Sequence, residues 1–177
     1  MQKLASQVSH AVQQLNGDIT LNIPGIVIED SDKAAEDVDV VMQLETAVSD
    51  WAKVLVAAIA READKQPTGT GPLAEIEFLR EKNASLSSLY EHLNLPNVRR
   101  MAQVVEKGSG DANLIGNFRT QFNELTKLHV EAKDNVKFLT TLERHFKALR
   151  DGSLSAVCDT IPPMMGALRM VWIISRH

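Results

Sequence analysis

A single cysteine, Cys158, stands in the 177 residues, so an internal disulfide is excluded and a reducing compartment fits. No stretch reaches the ~20 consecutive apolar residues of a membrane span. The best approach to one, Met164 to Ile174, is too short and contains Arg169. The first fifteen residues are amphipathic and have no apolar signal core. Together these absences read as a cytosolic chain. Net charge is only -4, with Lys and Arg dispersed among acids. Without a basic stripe, neither nucleic acid nor an anionic membrane is an expected partner. The signatures of catalysis are missing as well. There is no Ser-His-Asp arrangement, no nucleophile elbow and no dinucleotide fingerprint.

What is present is helix. Hydrophobic residues make up 44% and charged residues 24%, the balance of an ordered soluble protein. The stretch from Asn113 to Arg150 has the longest sustained period. Ile115, Phe118, Phe122, Leu125, His129, Ala132, Val136 and Leu139 recur at steps of three and four, and Leu142, Phe146 and Leu149 continue the stripe. No proline interrupts it, and Gly116 is its only glycine. Such a helix would be roughly 55 Å long at ~1.5 Å per residue. The spacing predicts that Phe118, Phe122, Val136 and Phe146 are buried.

Other stretches repeat the logic. Leu4, Val8, Ala11, Val12 and Leu15 share one helical face, and Asn16-Gly17 stops that helix. From Val40, a second helix presents Val41, Leu44, Val48, Trp51, Leu55, Ala58 and Ile59, and it ends before Pro67. Pro72 opens a third, with Ile76, Leu79, Asn83, Leu86, Tyr90 and Leu93 at heptad spacing. Pro96 opens a short one carrying Val98, Met101, Val104 and Val105. After Asp151-Gly152, Ser153 caps a last helix that Pro162-Pro163 must kink or restart. Its end, from Met164 to Ile174, is densely apolar.

One segment breaks the helical pattern. Ile19, Leu21 and Ile23 alternate with polar residues, and Ile26-Val27-Ile28 follows Pro24-Gly25. Two short β-prone runs cannot make a sheet alone. They form either an extended arm on the helices or an orphan edge that pairs with another chain. The expected fold is therefore all-α: an elongated helical bundle with a short N-terminal β-prone arm.

Three local patterns invite a chemical reading and lose it. Residues 29–39 are acidic, yet the Gly and distal Glu of an EF-hand are misplaced, so the acids read as a linker and a helix N-terminus. Gln66 to Gly71 is glycine-rich, but no Lys-Ser or Lys-Thr follows to complete a phosphate cradle. None of His10, His92, His129, His145 and His177 forms a zinc-like pair with Cys158. His129 reads as a partly buried core histidine. No cofactor, metal or catalytic residue is assigned.

Three segments resemble the tail of axonemal dynein heavy chains. Gly71-Pro72-Leu73-Ala74-Glu75-Ile76-Glu77-Phe78-Leu79 is similar to a Gly-Pro-Leu-x-Glu-Ile-Glu-Phe-Trp segment, with Leu79 where the family usually has Trp. Glu131-Ala132-Lys133-Asp134-Asn135-Val136-Lys137-Phe138-Leu139 matches a second. Ile161-Pro162-Pro163-Met164-Met165 and Leu168-Arg169-Met170-Val171-Trp172 through His177 resemble a third, and Trp51 fits a tryptophan ahead of all three. The resemblance runs in order from Leu44 to His177.

That resemblance implies a fragment of a very long motor subunit whose ATPase ring lies far C-terminal of its tail. Residues 1–28 would be the end of an N-terminal dimerisation domain, 29–39 an acidic linker and 40–177 the first tail helical bundle, incomplete at its C-terminus. The implied function is non-catalytic: heavy-chain association and docking of a microtubule motor complex in the cilium axoneme, within the cytoskeleton of the cytoplasm. The implied partners are other heavy chains, intermediate chains and light chains. The candidate interaction residues are Ile19, Leu21, Ile23, Val27, Ile28, Trp172 and Ile173. An independent helical adaptor is the alternative.

Overall fold

Asp37 shows how the acidic stretch is used. Its backbone N–H closes one helix on the carbonyl of Ala34 at 3.4 Å. Its carboxylate opens the next, accepting from the N–H groups of Asp39 at 3.0 Å and Val40 at 3.3 Å. Asp30 caps the preceding N-terminus through Asp32 N–H at 2.9 Å. The computed structural model describes residues 21–152 and 154–176. Among them are α1 (Ser31–Glu36), α2 (Val38–Asp64), α3 (Pro72–Leu93), α4 (Pro96–Gly108), α5 (Ala112–Asp151) and α6 (Leu154–Ile174), with no strand. The all-α fold is as expected. Residues Leu4 to Leu15, Ile19 and Ser153 fall outside the described residues.

The described residues divide into two compact units. The first takes the chain up to Asp64 together with Ser85–Leu128. Its core is Leu44, Val48, Trp51 and Leu55 of α2, Leu86, Leu89 and Leu93 of α3, Val98, Met101, Val104 and Val105 of α4, and Phe118 and Leu125 of α5, all buried. Aromatic rings join three of these helices. Trp51 and Phe118 lie 6.2 Å apart, Phe118 and Phe122 6.3 Å, and Phe122 stacks on Tyr90 at 6.1 Å. Gly108 ends α4 where a side chain would not fit. A Cβ there would sit 2.6 Å from the Ala35 carbonyl oxygen and 2.6 Å from a Val41 methyl.

Leu21 to Glu29 crosses this unit as an arm without strand pairing. Its backbone is held by side chains of the helices. Trp51 Nε1–H donates to the Asn22 carbonyl at 2.9 Å, and Arg100 Nη1–H donates to the Ile28 carbonyl at 3.4 Å. Leu21 and Ile28 are buried, and Ile23 between them is half-buried.

The second unit takes Lys65–Ala84 and the described residues from His129 onward. Ile76, Ala132, Leu142 and His145 are its buried residues. The helix α6 runs continuously from Leu154 to Ile174 with Pro162 and Pro163 inside it. The chain does not restart at the prolines, although each lacks a backbone donor. That continuity makes Ser155–Ile174 a 20-residue stretch of mean hydropathy 1.2, long and apolar enough by length and composition to cross a membrane. Asp159 and Arg169 lie inside it.

Candidate interaction surface

Among the described residues no group of three or more His, Cys, Asp or Glu side chains is placed to hold a metal ion. Two carboxylates, Glu62 and Glu143, are used to join helices. Glu62, 1% exposed, accepts from Ser85 Oγ at 2.9 Å and from Arg61 Nη2 at 3.2 Å. Arg61 Nη2 also donates to Ser85 Oγ at 3.3 Å, so the cluster ties α2 to α3. Sequence reasoning missed Glu62. The signal was available, because Glu62 continues the inward stripe of Leu55 and Ala58 by one more step of four.

In the second unit Glu143 of α5 receives the forked guanidinium of Arg80 from α3 and Lys147 Nζ at 2.7 Å. Arg80 Nη1 also reaches Glu77 at 3.2 Å. The Arg80 hydrogen bond first, and the Lys147 one second, hold the Glu143 carboxyl down at about 2. The Arg80 guanidinium is pushed up in return. His145 is buried, and Arg144 Nε–H donates to its Nε2 at 3.3 Å. His129 is half-buried, as its place on the stripe implied. Cys158 is exposed and free. The Glu62 and Glu143 clusters are structural uses of polar residues.

The candidate interaction residues divide by environment. In the first unit Leu21 and Ile28 are buried and Ile23 is half-buried, while Val27 is 85% exposed. Ile19 lies outside the described residues. In the second unit Trp172, 56% exposed, and Ile173 face solvent on α6. They belong to a larger set of exposed apolar residues. Ile161, Met165, Met170 and Ile174 are exposed on the same helix, and Met165, Gly166, Leu168, Arg169 and Trp172 line a shallow hollow. Arg176 lies over the Trp172 ring at 4.4 Å. Sequence reading named Trp172 and Ile173 but not the methionines. At helical spacing Ile161, Met165 and Trp172 share one side of α6, while Met170, Ile173 and Ile174 lie on others.

The described residues are helical in both units, and the second presents exposed apolar residues on α6. Residues 41–177 match the family described as "Dynein heavy chain, N-terminal region 1", and the chain belongs to that family. It is 63% identical over 177 residues to the dynein-1-alpha heavy chain of the flagellar inner arm I1 complex of Chlamydomonas reinhardtii. It is 49% identical over 180 residues to dynein axonemal heavy chain 10 of Homo sapiens. Both alignments take in 100% of this chain and 4% of the relative. The chain thus spans 4% of the length of these relatives and is a non-catalytic tail segment, outside the ATPase ring.

Proposed function

We propose that this tail segment mediates heavy-chain association and the docking of a microtubule motor complex in the axoneme of cilia. The observation behind the proposal is the set of exposed apolar residues on α6 in a chain of this family. The names of its relatives, axonemal and flagellar, support the location. Partners in this reading are other dynein heavy chains and the intermediate and light chains. Residues 1–28 end a dimerisation domain, 29–39 link it, and 40–177 begin the first tail bundle.

The candidate residues differ in exposure. Leu21 and Ile28 are buried, so in this reading the contact rests on Val27 in the first unit and on Trp172 and Ile173 in the second. A cross-linking map against purified axonemal dynein subunits tests it. Cross-links from α6 to another dynein chain are the expected result. A map in which α6 reaches no other subunit would remove the proposal.

A further inference from the structure

The first unit has an apolar groove that its described residues leave open. A hollow of about 310 Å³ is walled by Leu93 of α3, Val98 and Ala102 of α4, and Phe118 and Phe122 of α5, with Arg99 and Gln103 at its rim. Its floor is core, since Leu93, Val98 and Phe118 are buried, but Phe122 is only half-buried. A small-molecule site has convergent polar groups that fix orientation. This groove keeps its polar groups at the edge, and its size suits a few aliphatic side chains. The walls are helices, whose backbone groups bond within their own turns. Where α3 ends, the Tyr90 and His92 carbonyls already accept from the N–H groups of Asn94 at 3.1 Å and Leu95 at 3.3 Å. An added strand would find no edge to pair with, so the shape fits a helix laid into the groove.

Charge at the groove has one sign. No carboxylate lines it, and Arg99 meets only a neutral acceptor. Its Nε and Nη2 both donate to Asn94 Oδ1, the first at 3.1 Å. Among the described residues no carboxylate pairs with Arg99, whereas Lys107 and Arg119 of the same unit are paired with Asp32 and Glu106. The start of α4 adds to the imbalance. Leu95 stands at its N-cap with no side-chain hydrogen bond, and its first turn holds no acidic residue. The positive pole of α4 therefore has no acid from its own first turn against it, one turn from Arg99.

We infer that the groove receives an acidic amphipathic helix of another protein chain. Its aliphatic residues, at i, i+4 and i+7, fill the hollow, and an Asp or Glu beside them sets against Arg99 and the start of α4. Apolar contact holds the helix, and the carboxylate fixes its direction and excludes basic helices of the same shape. The inference concerns the first unit and stands apart from the proposed docking role of α6, which involves other residues.

The test titrates the whole chain with two short hydrocarbon-stapled helices. One carries Leu at those spacings flanked by Glu, and the other has each Glu replaced by Lys. Amide hydrogen exchange locates the contact, and fluorescence anisotropy gives the affinity. The acidic helix should slow exchange across residues 98–103 and 118–122 and bind at least about fivefold tighter than the basic one. Arg99 is exposed, so Arg99→Glu should leave the fold intact and abolish or reverse that preference. Equal affinity for the two helices would overturn the inference, as would a preference that survives Arg99→Glu. Protection confined to α6, or no binding by the acidic helix, would equally overturn it. So would protection of residues 98–103 that grows with chain concentration alone, which would assign the groove to a second copy. Each of these outcomes leaves the docking role of α6 to its own cross-linking test.

Discussion

The indole N–H of Trp51 donates to the backbone carbonyl of Asn22 at 2.9 Å. The ring itself is 1% exposed and leans on Phe118 at 6.2 Å. One side chain thus fixes the arm to α2 and α2 to α5. Trp51→Phe keeps most of the packing and loses the bond, so it should cost about 0.5–1.5 kcal/mol. Trp51→Ala removes both and should cost about 3–5 kcal/mol. Urea denaturation of the two variants checks the gap between them. Equal losses would mean that the packing of the ring contributes nothing beyond the hydrogen bond.

Gly108→Ala sets two effects against each other. Alanine in place of glycine favours a helix by about 1 kcal/mol. The new methyl, however, meets the Ala35 carbonyl oxygen and Val41 at 2.6 Å, and the first of these is backbone. Overpacking of this kind costs about 1–3 kcal/mol, so a net loss of stability is expected. A thermal melt showing stabilisation would place the helices farther apart than described.

Glu62→Ala takes the shared acceptor from Ser85 and Arg61. Arg61 is 37% exposed in its side chain and can turn to water, so the expected cost is that of a stranded polar site, about 1–3 kcal/mol. Pairing it with Ser85→Ala should recover part of this in a double-mutant cycle. Strict additivity would argue against the cluster.

The Glu143 carboxyl, held at about 2 against an ordinary 4.5, gives the second unit an acid-sensitive contact. Because the folded value is the lower one, its stabilisation is complete above about pH 4.5 and is lost as pH falls toward about 2. Glu143→Gln should therefore flatten the stability profile in that window and leave its shape near neutrality unchanged. Denaturant midpoints measured across the window decide it. An unaltered acid limb would show that Glu143 is not the group responsible.

Helix positions were legible because the apolar period is long and the stops are chemical. The stretch expected from Asn113 to Arg150 is α5, Ala112–Asp151, and Pro72 and Pro96 open α3 and α4. Burial along α5 was less legible. Phe118 is buried, but Phe122, Val136 and Phe146 are only half-buried. Periodicity names a face without saying how completely a neighbour covers it. The arm shows a related limit. Alternation at Leu21 and Ile23 is what a strand requires, yet the Asn22 carbonyl found an indole N–H in place of a ladder. Which apolar residues face a partner was least legible, since Trp51 and Trp172 look alike in sequence. One is core and the other is 56% exposed.

The docking role of α6 is tested most directly by recovering axonemal dynein subunits with a longer tail fragment that carries Trp172→Asp and Ile173→Asp. Both residues are exposed, so the substitutions should leave the helices folded, which circular dichroism verifies. A buried tryptophan at an interface is commonly worth 2 kcal/mol or more, so recovery should fall by at least about tenfold. Undiminished recovery of every subunit by the doubly substituted tail would contradict the account.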